Sequence, residues 1–415
     1  ITKSEARPDN LNVLNNQIKL NLSSEKYSLE SGFLAYEDLS IDKNSDRYQY
    51  ILPYYNFDTL LENNYFNGRI SLSSSGSNNL SKTNKLKSSI INDLRYSSNG
   101  LINSFGAKND FNIILKNLNS VGKNNSDYKS SPQVELLTMF EANTSLPLIK
   151  KQKNYDNYLI PKLSFRFNPS DMKNYSTTSK KIGVENIFAM NRLGLGDSFE
   201  KGRSLTLGIN YKKEKNDLDE INKYFEMKLA TVIRDKEESF IPKSSTIGRR
   251  NSNLFGSITN NLHENINLSY NFALDNDLST FEYNELSTTF LFDSFETKFT
   301  FIEENGEMGD SNIFENEISY NFDENNNLTF KTRRNRKINL TEYYDLVYEY
   351  KSDCLTAGIK YKKSYYSDRD LKPTENLLFT ITLFPLTTYE HDAGDLLKNE
   401  DSLLKNLELD SRMFK

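Results

Sequence analysis

Few residues in this chain have the type and spacing that chemistry requires. The 415 residues include one cysteine, Cys354, and two histidines, His263 and His391, far apart in sequence. A metal centre built from histidine and cysteine is therefore not expected. Neither a phosphate-binding loop nor a nucleophile elbow is present, and Gly194–Gly196 lacks the third glycine and the preceding parallel strand of a nucleotide loop. We expect no enzyme and no cofactor.

Two features could bind something. The run Arg333–Lys337 is the densest basic patch; it is either a loop or inward-facing charge, or a site for phosphates or acidic sugars. Cys354 follows Ser352 and Asp353 at the predicted start of a strand. A single cysteine there is either inert or pairs with a cysteine outside this chain.

Charge and composition exclude several classes of protein. Lys plus Arg number 52 and Asp plus Glu 57, a net charge of −5, which excludes a strongly basic nucleic-acid binder. Only 36% of residues are hydrophobic, yet 12% are aromatic. This combination argues against a large soluble aliphatic core and also against plain disorder.

Alternation of apolar and polar residues is the strongest pattern. It is clear in Ile266–Leu274, Ile318–Phe322, Tyr344–Tyr350 and Leu377–Leu383, and turn residues such as 323–327 separate the runs. A period of two indicates strands with one apolar and one polar face. We count roughly 18–20 strands, many with the length of a tilted membrane-spanning strand.

Two architectures share this pattern: a soluble all-β fold and a membrane barrel. The polar face here carries Asn, Ser and Thr, with charges such as Arg166, Lys298 and Glu317 within strands. Sequential hairpins without helical crossovers favour an antiparallel up-and-down transmembrane barrel. The alternatives are a self-contained porin-like channel for small solutes, with about 16–20 strands, and a soluble surface adhesin.

Some segments break the alternation. Residues 117–131 are polar and predict a long loop. The alternation stops after Leu386, and leucines at helix-like spacing follow in 395–414. We therefore predict a barrel region, 1–386, and a C-terminal tail, 387–415, that is short and helical or frayed.

Two motifs resemble the LPS-assembly protein (LptD) family. From Tyr348 onward, a cysteine precedes a strand, an Asp-Arg-Asp turn and a proline follow in 367–373, and a last strand comes after them, as in the family's α-proteobacterial branch. A second motif departs at Ser198, where the family usually has arginine. Its matching residues are Asn186, Phe188, Asn191, Arg192, Gly196, Asp197, Glu200, Gly202 and Arg203.

The resemblance implies an outer-membrane barrel of about 26 strands, of which this chain holds part. It would insert lipopolysaccharide into the outer leaflet, with the lipoprotein LptE as a plug. A periplasmic jellyroll that connects to the Lpt bridge, and the first strands of the barrel, would lie upstream of Ile1. The resemblance further implies that Cys354 forms a disulfide with that upstream region.

The resemblance also implies a lateral gate between the first and last strands. The closing strand would be 376–384, with Thr380 and Thr382 facing the lumen and Pro385 ending its hydrogen-bond ladder. Its other gate residues are Leu377, Phe379, Ile381, Leu383 and Phe384. A polar lumen passes a sugar head group, whereas acyl chains need a route through lipid, which parting of two strands provides.

Overall fold

The computed structural model describes residues 13–39, 45–61, 67–216, 223–365, 374–384 and 387–393, in which β-strands are the dominant regular structure. No helix within these ranges is long and apolar enough to cross a membrane. Three short 3₁₀ turns occur at Ser45–Arg47, Lys243–Ser245 and Gly306–Met308. The strands are β1 (Val13–Ser23), β2 (Tyr27–Asp38), β3 (Tyr48–Leu61), β4 (Gly68–Ser81), β5 (Lys85–Ser98), β6 (Leu101–Ile102), β7 (Lys108–Lys123), β8 (Gln133–Ser145), β9 (Leu148–Lys151), β10 (Tyr155–Asn168), β11 (Gly202–Lys215), β12 (Tyr224–Arg234), β13 (Leu254–His263), β14 (Ile266–Leu274), β15 (Phe281–Phe292), β16 (Phe295–Glu304), β17 (Ser311–Asn321), β18 (Asn326–Asn335), β19 (Leu340–Lys351), β20 (Leu355–Ser364), β21 (Thr374–Leu383) and β22 (Thr387–Asp392).

All 22 strands form one antiparallel sheet in which each strand pairs with its neighbours in chain order. The short β6 and β9 continue β5 and β8, against β7 and β10 respectively. Removing these two from 22 leaves 20 rows of strands. The predicted all-β, up-and-down barrel architecture is confirmed. Among the described residues no pairing joins β1 to β21 or β22.

The two faces of the sheet have opposite chemistry. On β7, the apolar residues Ile113 and Leu115 are 38% and 40% exposed, whereas the polar residues Lys116 and Ser120, on the alternate positions, are 3% and 6% exposed. β10 repeats the pattern, with Phe165 exposed and its polar neighbours Ser164 and Arg166 buried. Apolar side chains thus face outward and polar ones inward, the inverse of a soluble sheet and the arrangement of a transmembrane barrel.

Two long connections cover part of the inner face: residues 169–201, between β10 and β11, and 235–253, between β12 and β13. We call them the first and second inner loops. The first loop contributes Ile182 and Ile187 to the main apolar cluster, and the second contributes Ile241 and Ile247. They pack with four residues of β12–β14, namely Ala230, Val232, Phe255 and Ala273.

The outer face is not uniformly apolar. Across β4, β5 and β7, the Ser74 hydroxyl donates to Asn92 Oδ1 at 2.7 Å, and Asn92 Nδ2 donates to Asn117 Oδ1 at 3.2 Å. Asn119 Nδ2 donates to the same oxygen at 2.7 Å. The predicted loop at 117–131 is therefore wrong in its first half, since β7 extends to Lys123. These asparagines satisfy one another across strands instead of ending the strand.

The C-terminal end of the sheet has one more strand than the sequence suggested. β21 pairs with β20 on one side and with the six-residue β22 on the other. β22 thus lies beyond the boundary placed at residue 386. Pro385, Leu386, the predicted tail segment 395–414 and the motif 367–373 lie outside the described residues.

The two faces of β17 predict different tolerance to charge. Ile318 faces outward and is paired with Thr297 and Phe330, whereas Ser319 faces inward beside Glu296 and Thr329. We expect Ile318→Arg to lower the free energy of unfolding by about 2–4 kcal/mol, because a lipid-facing arginine is poorly solvated. Its matched control, Ser319→Arg, should cost less than about 1 kcal/mol, since it meets a polar lumen. Denaturant unfolding in lipid vesicles measures both, and equal costs would contradict the assignment of faces.

Candidate functional site: a buried charge network on the inner wall

The second motif of the sequence lies in the first inner loop and at the start of β11. Asn191 organises its central turn: its Oδ1 accepts from the Leu195 amide at 3.1 Å, and its Nδ2 donates to the Leu195 carbonyl at 2.8 Å. Gly194, within this turn, has a φ of +67°, a conformation that favours glycine. Asn186 similarly accepts from the Gly183 amide at 3.0 Å. The side-chain amides of Asn186 and Asn191 thus fix the local backbone conformation of the loop through hydrogen bonds.

Glu200 is the centre of a buried ion cluster. Its carboxylate accepts from Arg192 Nε at 2.7 Å and Arg192 Nη2 at 2.5 Å, and also from Arg234 of β12. Arg192 donates in addition to the hydroxyls of Thr206, at 2.9 Å, and Ser204, at 3.1 Å, on β11. The cluster therefore attaches the loop to the inner face of two strands.

A second buried pair reinforces the attachment. Arg166 Nε on β10 donates to Glu141 Oε1 on β8 at 2.8 Å, and both side chains are 3% exposed. The other nitrogens of Arg166 donate to the backbone carbonyls of Ile187, at 3.2 Å, and Ala189, at 3.0 Å. Arg192 reaches the same Ile187 carbonyl at 3.4 Å. Two arginines from different elements thus hold one loop carbonyl.

Asp197 forms a third centre, which joins two connections. The Tyr128 hydroxyl, from the β7–β8 connection, donates to Asp197 Oδ2 at 2.9 Å, and the Tyr175 hydroxyl donates to Oδ1. Lys173 Nζ pairs with Oδ2 at 3.2 Å and lies 4.2 Å from the centre of the Tyr128 ring. Beside it, Lys116 Nζ donates to the Gly196 carbonyl at 2.9 Å.

The titration of these groups follows from their partners. Burial alone would raise the pKa of Glu200, but the charges of Arg192 and Arg234 outweigh it and lower the pKa to about 2. Burial likewise opposes ionisation of Asp197, yet hydrogen bonding from Tyr175 and the charge of Lys173 lower its pKa. Burial, followed by the neighbouring Asp197, raises the pKa of the Tyr175 hydroxyl.

Other motif residues serve packing. The Phe188 ring covers Gly208 of β11, where an added Cβ would lie 2.5 Å from the ring. Gly202, with φ +87°, begins β11, and the guanidinium of Arg203 lies 5.3 Å from the centre of the Phe167 ring. Ser198, at the position where the motif departs, is buried and accepts from the Lys173 amide at 3.2 Å.

Two cations of the basic run, Arg333 and Lys337, form ion pairs. Arg333 pairs with Glu315 at 3.2 Å and Glu342 at 2.8 Å, and Lys337 pairs with Asp310. The Arg334 guanidinium donates to Asn339 Oδ1 at 2.5 Å. The interpretation of this run as inward-facing or loop charge fits these contacts better than an anion site does.

Inward charges on β16–β20 alternate in sign. Directly opposed residues form the row Lys298, Glu317, Lys331, Asp345 and Lys362. Within and beside this row, Lys331 pairs with Glu317 at 2.8 Å and Lys360 with Asp345 at 3.0 Å. We call this set the charge row. It makes the wall strongly hydrated and nearly neutral.

Cys354 and the predicted gate strand meet at one end of the sheet. Cys354 is exposed in the turn between β19 and β20, and its carbonyl accepts from the Phe384 amide at 2.9 Å. Thr380 and Thr382 of β21 oppose Gly358 and Thr356 of β20. The apolar residues Leu377, Phe379, Ile381 and Leu383 alternate with them and oppose Tyr361, Ile359, Ala357 and Leu355.

The structure brings most of the motif together but separates it from Cys354 and β21. Sequence reasoning missed the partners Glu141, Arg234, Tyr128 and Tyr175; for Arg166, it recognised only a charge within a strand. No group of three or more His, Cys, Asp or Glu in the described ranges could hold a metal ion. The network is suited to positioning a loop, because its charges are already neutralised and hydrogen-bonded.

The fold and the inverted faces define an outer-membrane type of β-barrel. The family model of "LptD: LPS transport system D" matches residues 2–325, and the chain belongs to this family. It is therefore an outer-membrane protein of the lipopolysaccharide transport system. A search of curated proteins finds no match.

Solved structures match this chain at low sequence identity and low TM-score. A mutant ferric enterobactin receptor, PfeA, of Pseudomonas aeruginosa has a TM-score of 0.42 and 10% identity, and the match covers 90% of this chain and 70% of the receptor. The siderophore receptor PirA of Acinetobacter baumannii has a TM-score of 0.40 and 10% identity, covering 89% and 73%. The copper transporter OprC has a TM-score of 0.38 and 9% identity, covering 92% and 73%.

The Glu200 cluster predicts a large effect from a small substitution. Glu200→Gln leaves Arg192 and Arg234 buried without a counter-charge and should lower the free energy of unfolding by about 3–5 kcal/mol. The control, Asp171→Asn, removes a carboxylate that is 95% exposed from its pair with Lys201, and should cost less than about 1 kcal/mol. Denaturant titration in detergent measures both. A cost for Glu200→Gln no larger than the control's would show that the cluster does not hold the loop.

A comparison of the natural protein with Glu200→Gln at different pH values tests the charge of Glu200. The pKa of Glu200 falls from 4.5 to about 2 on folding, so its ionised form stabilises the folded protein above pH 4.5 and the contribution fades as pH falls toward 2. The difference in stability between the natural protein and Glu200→Gln should therefore narrow over that window. A constant difference would exclude ionised Glu200 as its cause.

Proposed function

We propose that this chain forms the wall of a barrel that inserts lipopolysaccharide into the outer leaflet through a lateral seam. The observation that carries the proposal is the combination of family membership with a sheet whose apolar face is turned outward and whose polar face is turned inward. An edge strand presents unpaired backbone groups that can pair, separate and pair again. Family membership favours this function over a porin-like channel for small solutes.

The chemistry of the two faces suits such a substrate. Lipopolysaccharide joins apolar acyl chains to a large polar head group. The inner face, with the charge row and its hydroxyls, hydrates a head group, while the outer face contacts lipid. A seam between strands lets the acyl chains move sideways into the bilayer without entering the polar lumen.

We call the strands that border the seam on its C-terminal side the lip. The lip consists of β21, with β22 along its outer edge. Leu377, Phe379, Ile381 and Leu383 would meet acyl chains, and Thr380 and Thr382 would meet the lumen. β22 pairs with Leu378–Leu383 of β21, and the Ala393 amide donates to the Leu377 carbonyl at 2.7 Å, so the described pairing between the two strands is short. Few hydrogen bonds would then need to break when the lip moves.

The two ends of the sheet support an orientation. The Cys354 end has short turns, among them 264–265, 293–294 and 352–354, whereas both inner loops leave from the opposite end. Short turns are typical of the periplasmic side of outer-membrane barrels. Cys354 would then face the periplasm, where the upstream jellyroll, linked to the Lpt bridge, would lie. LptE, or an equivalent lipoprotein, would occupy the lumen beside the inner loops.

Locking the seam should stop export. Tyr389 lies on β22, opposite Ile381 of β21, and β22 is the strand nearer the seam, so Tyr389→Cys would be oxidised to a cysteine in the first strand of the full-length protein. We expect newly made lipopolysaccharide to stop reaching the cell surface and export to return on reduction. The control lock joins Glu349→Cys to Gly358→Cys, which are opposed on β19 and β20. Normal export with the seam locked would refute a lateral route.

Cys354 should be oxidised in the full-length protein. We expect non-reducing gels of isolated outer membranes to show a mobility shift that Cys354→Ser abolishes, and peptide mass spectrometry to identify an upstream partner cysteine. The side chain is exposed, so the substitution itself should not affect folding of the barrel. A free, alkylatable Cys354 in membranes prepared without reductant would contradict the proposed disulfide.

A further inference from the structure

The inner loops leave one part of the inner wall uncovered. Many inward residues of β7–β14 are buried where the loops pack against the wall, as Leu118, Thr206 and Val232 illustrate with 0% exposure. On β1 and β2, by contrast, the inward side chains of Lys19 and Glu30 remain 38% and 37% exposed. A groove of about 460 Å³ lies there on the inner face of β1–β5. This volume is within the range of small-molecule sites.

The groove combines flat apolar patches with uncharged hydrogen-bonding groups. Leu34, Ile51 and Ile91 supply apolar surface, and Asn56, Ser75 and Ser77 supply amide and hydroxyl groups. Such a lining can contact the C–H faces of a sugar ring while donors and acceptors meet its hydroxyls.

Among the described residues that line this groove, the two charged side chains, Lys19 and Glu30, neutralise one another. Lys19 Nζ lies 2.7 Å from Glu30 Oε2, and the Tyr54 hydroxyl donates to Glu30 Oε1 at 3.3 Å. A phosphate would therefore find no free cation here, whereas a sugar hydroxyl can donate to the carboxylate or accept from the ammonium group.

We infer that the groove on the inner face of β1–β5 is a binding site for neutral sugar units of a glycan. The inference rests on the proposed function and deepens it: the groove lies on the inner, polar face of the wall, so sugar units held there stay in the lumen while the acyl chains leave through lipid. The site selects uncharged sugars, and the phosphates of the head group bind elsewhere.

Adjacent serines on β4 provide a matched pair of variants. Ser75 lines the groove opposite Asn56 and Ile91, whereas Ser74 points to the outer face, where it contacts Tyr55 and Asn92. The probe is the water-soluble oligosaccharide of lipopolysaccharide after removal of acyl chains and phosphates, titrated calorimetrically into the full-length protein in detergent. We expect Ser75→Phe to weaken binding about tenfold or more and Ser74→Phe to leave it unchanged.

Two further variants with smaller changes in shape keep the assignment testable if Ser75→Phe does not fold. Tyr54→Phe removes one hydroxyl without changing shape and should weaken binding about threefold to tenfold. Glu30→Gln frees Lys19 and should improve binding of the phosphorylated oligosaccharide about threefold relative to the dephosphorylated one. Heat-modifiable migration on gels checks that each variant is folded.

The outcomes distinguish a failure of the groove assignment from a failure of the proposed lateral seam. Equal losses for Ser75→Phe and Ser74→Phe, competition by inorganic phosphate, or no binding of the neutral oligosaccharide by the natural protein would each overturn the assignment. Binding is measured without transport, so a failed seam lock would refute the proposed function while leaving the groove measurement intact.

Discussion

The structure depends on one constraint: in hydrocarbon, each backbone amide and carbonyl must find its partner within the protein. A continuous antiparallel ladder satisfies it along 20 rows of strands, and its period of two then assigns alternate side chains to lipid and to water. Polar side chains on the outer face follow the same rule as the backbone groups, because they also find their hydrogen-bond partners within the protein. Ser74, Asn92 and Asn117 form hydrogen bonds with one another because the hydrocarbon of the bilayer has no donors or acceptors.

The same constraint governs the inner loops. Irregular backbone is tolerated at membrane depth only when protein or water covers it, and here arginines from the wall provide the donors. Arg166 and Arg192 share the Ile187 carbonyl, while Glu200 balances Arg192 and Arg234. Removing one member leaves uncompensated charge in a dry site, which is why such clusters destabilise strongly when broken.

The sequence was sufficient for the strands and their faces because alternation is a local property. It also marked Arg192, Asp197 and Glu200 as a motif, yet it could not reveal Tyr128 or Arg234, which reach the motif only after the strands are aligned. The loop predicted at 117–131 failed for a related reason. Asparagine normally favours turns, and only neighbours on β4 and β5 make it suitable for a strand. The role of β21 as a gate and the pairing of Cys354 remain predictions.

The uneven distribution of the inner loops has a mechanical consequence. Strands β7–β14 are braced from within by packed apolar side chains and ion pairs, and Lys181 of the first inner loop also pairs with Glu304 at the end of β16. In the described parts of β1–β5 and β17–β22, the contacts are those of the ladders and of inward polar side chains. Elastic deformation of the wall should therefore concentrate in these two flanks. Such a wall can bend in its flanking strands while the braced strands β7–β14 keep their curvature.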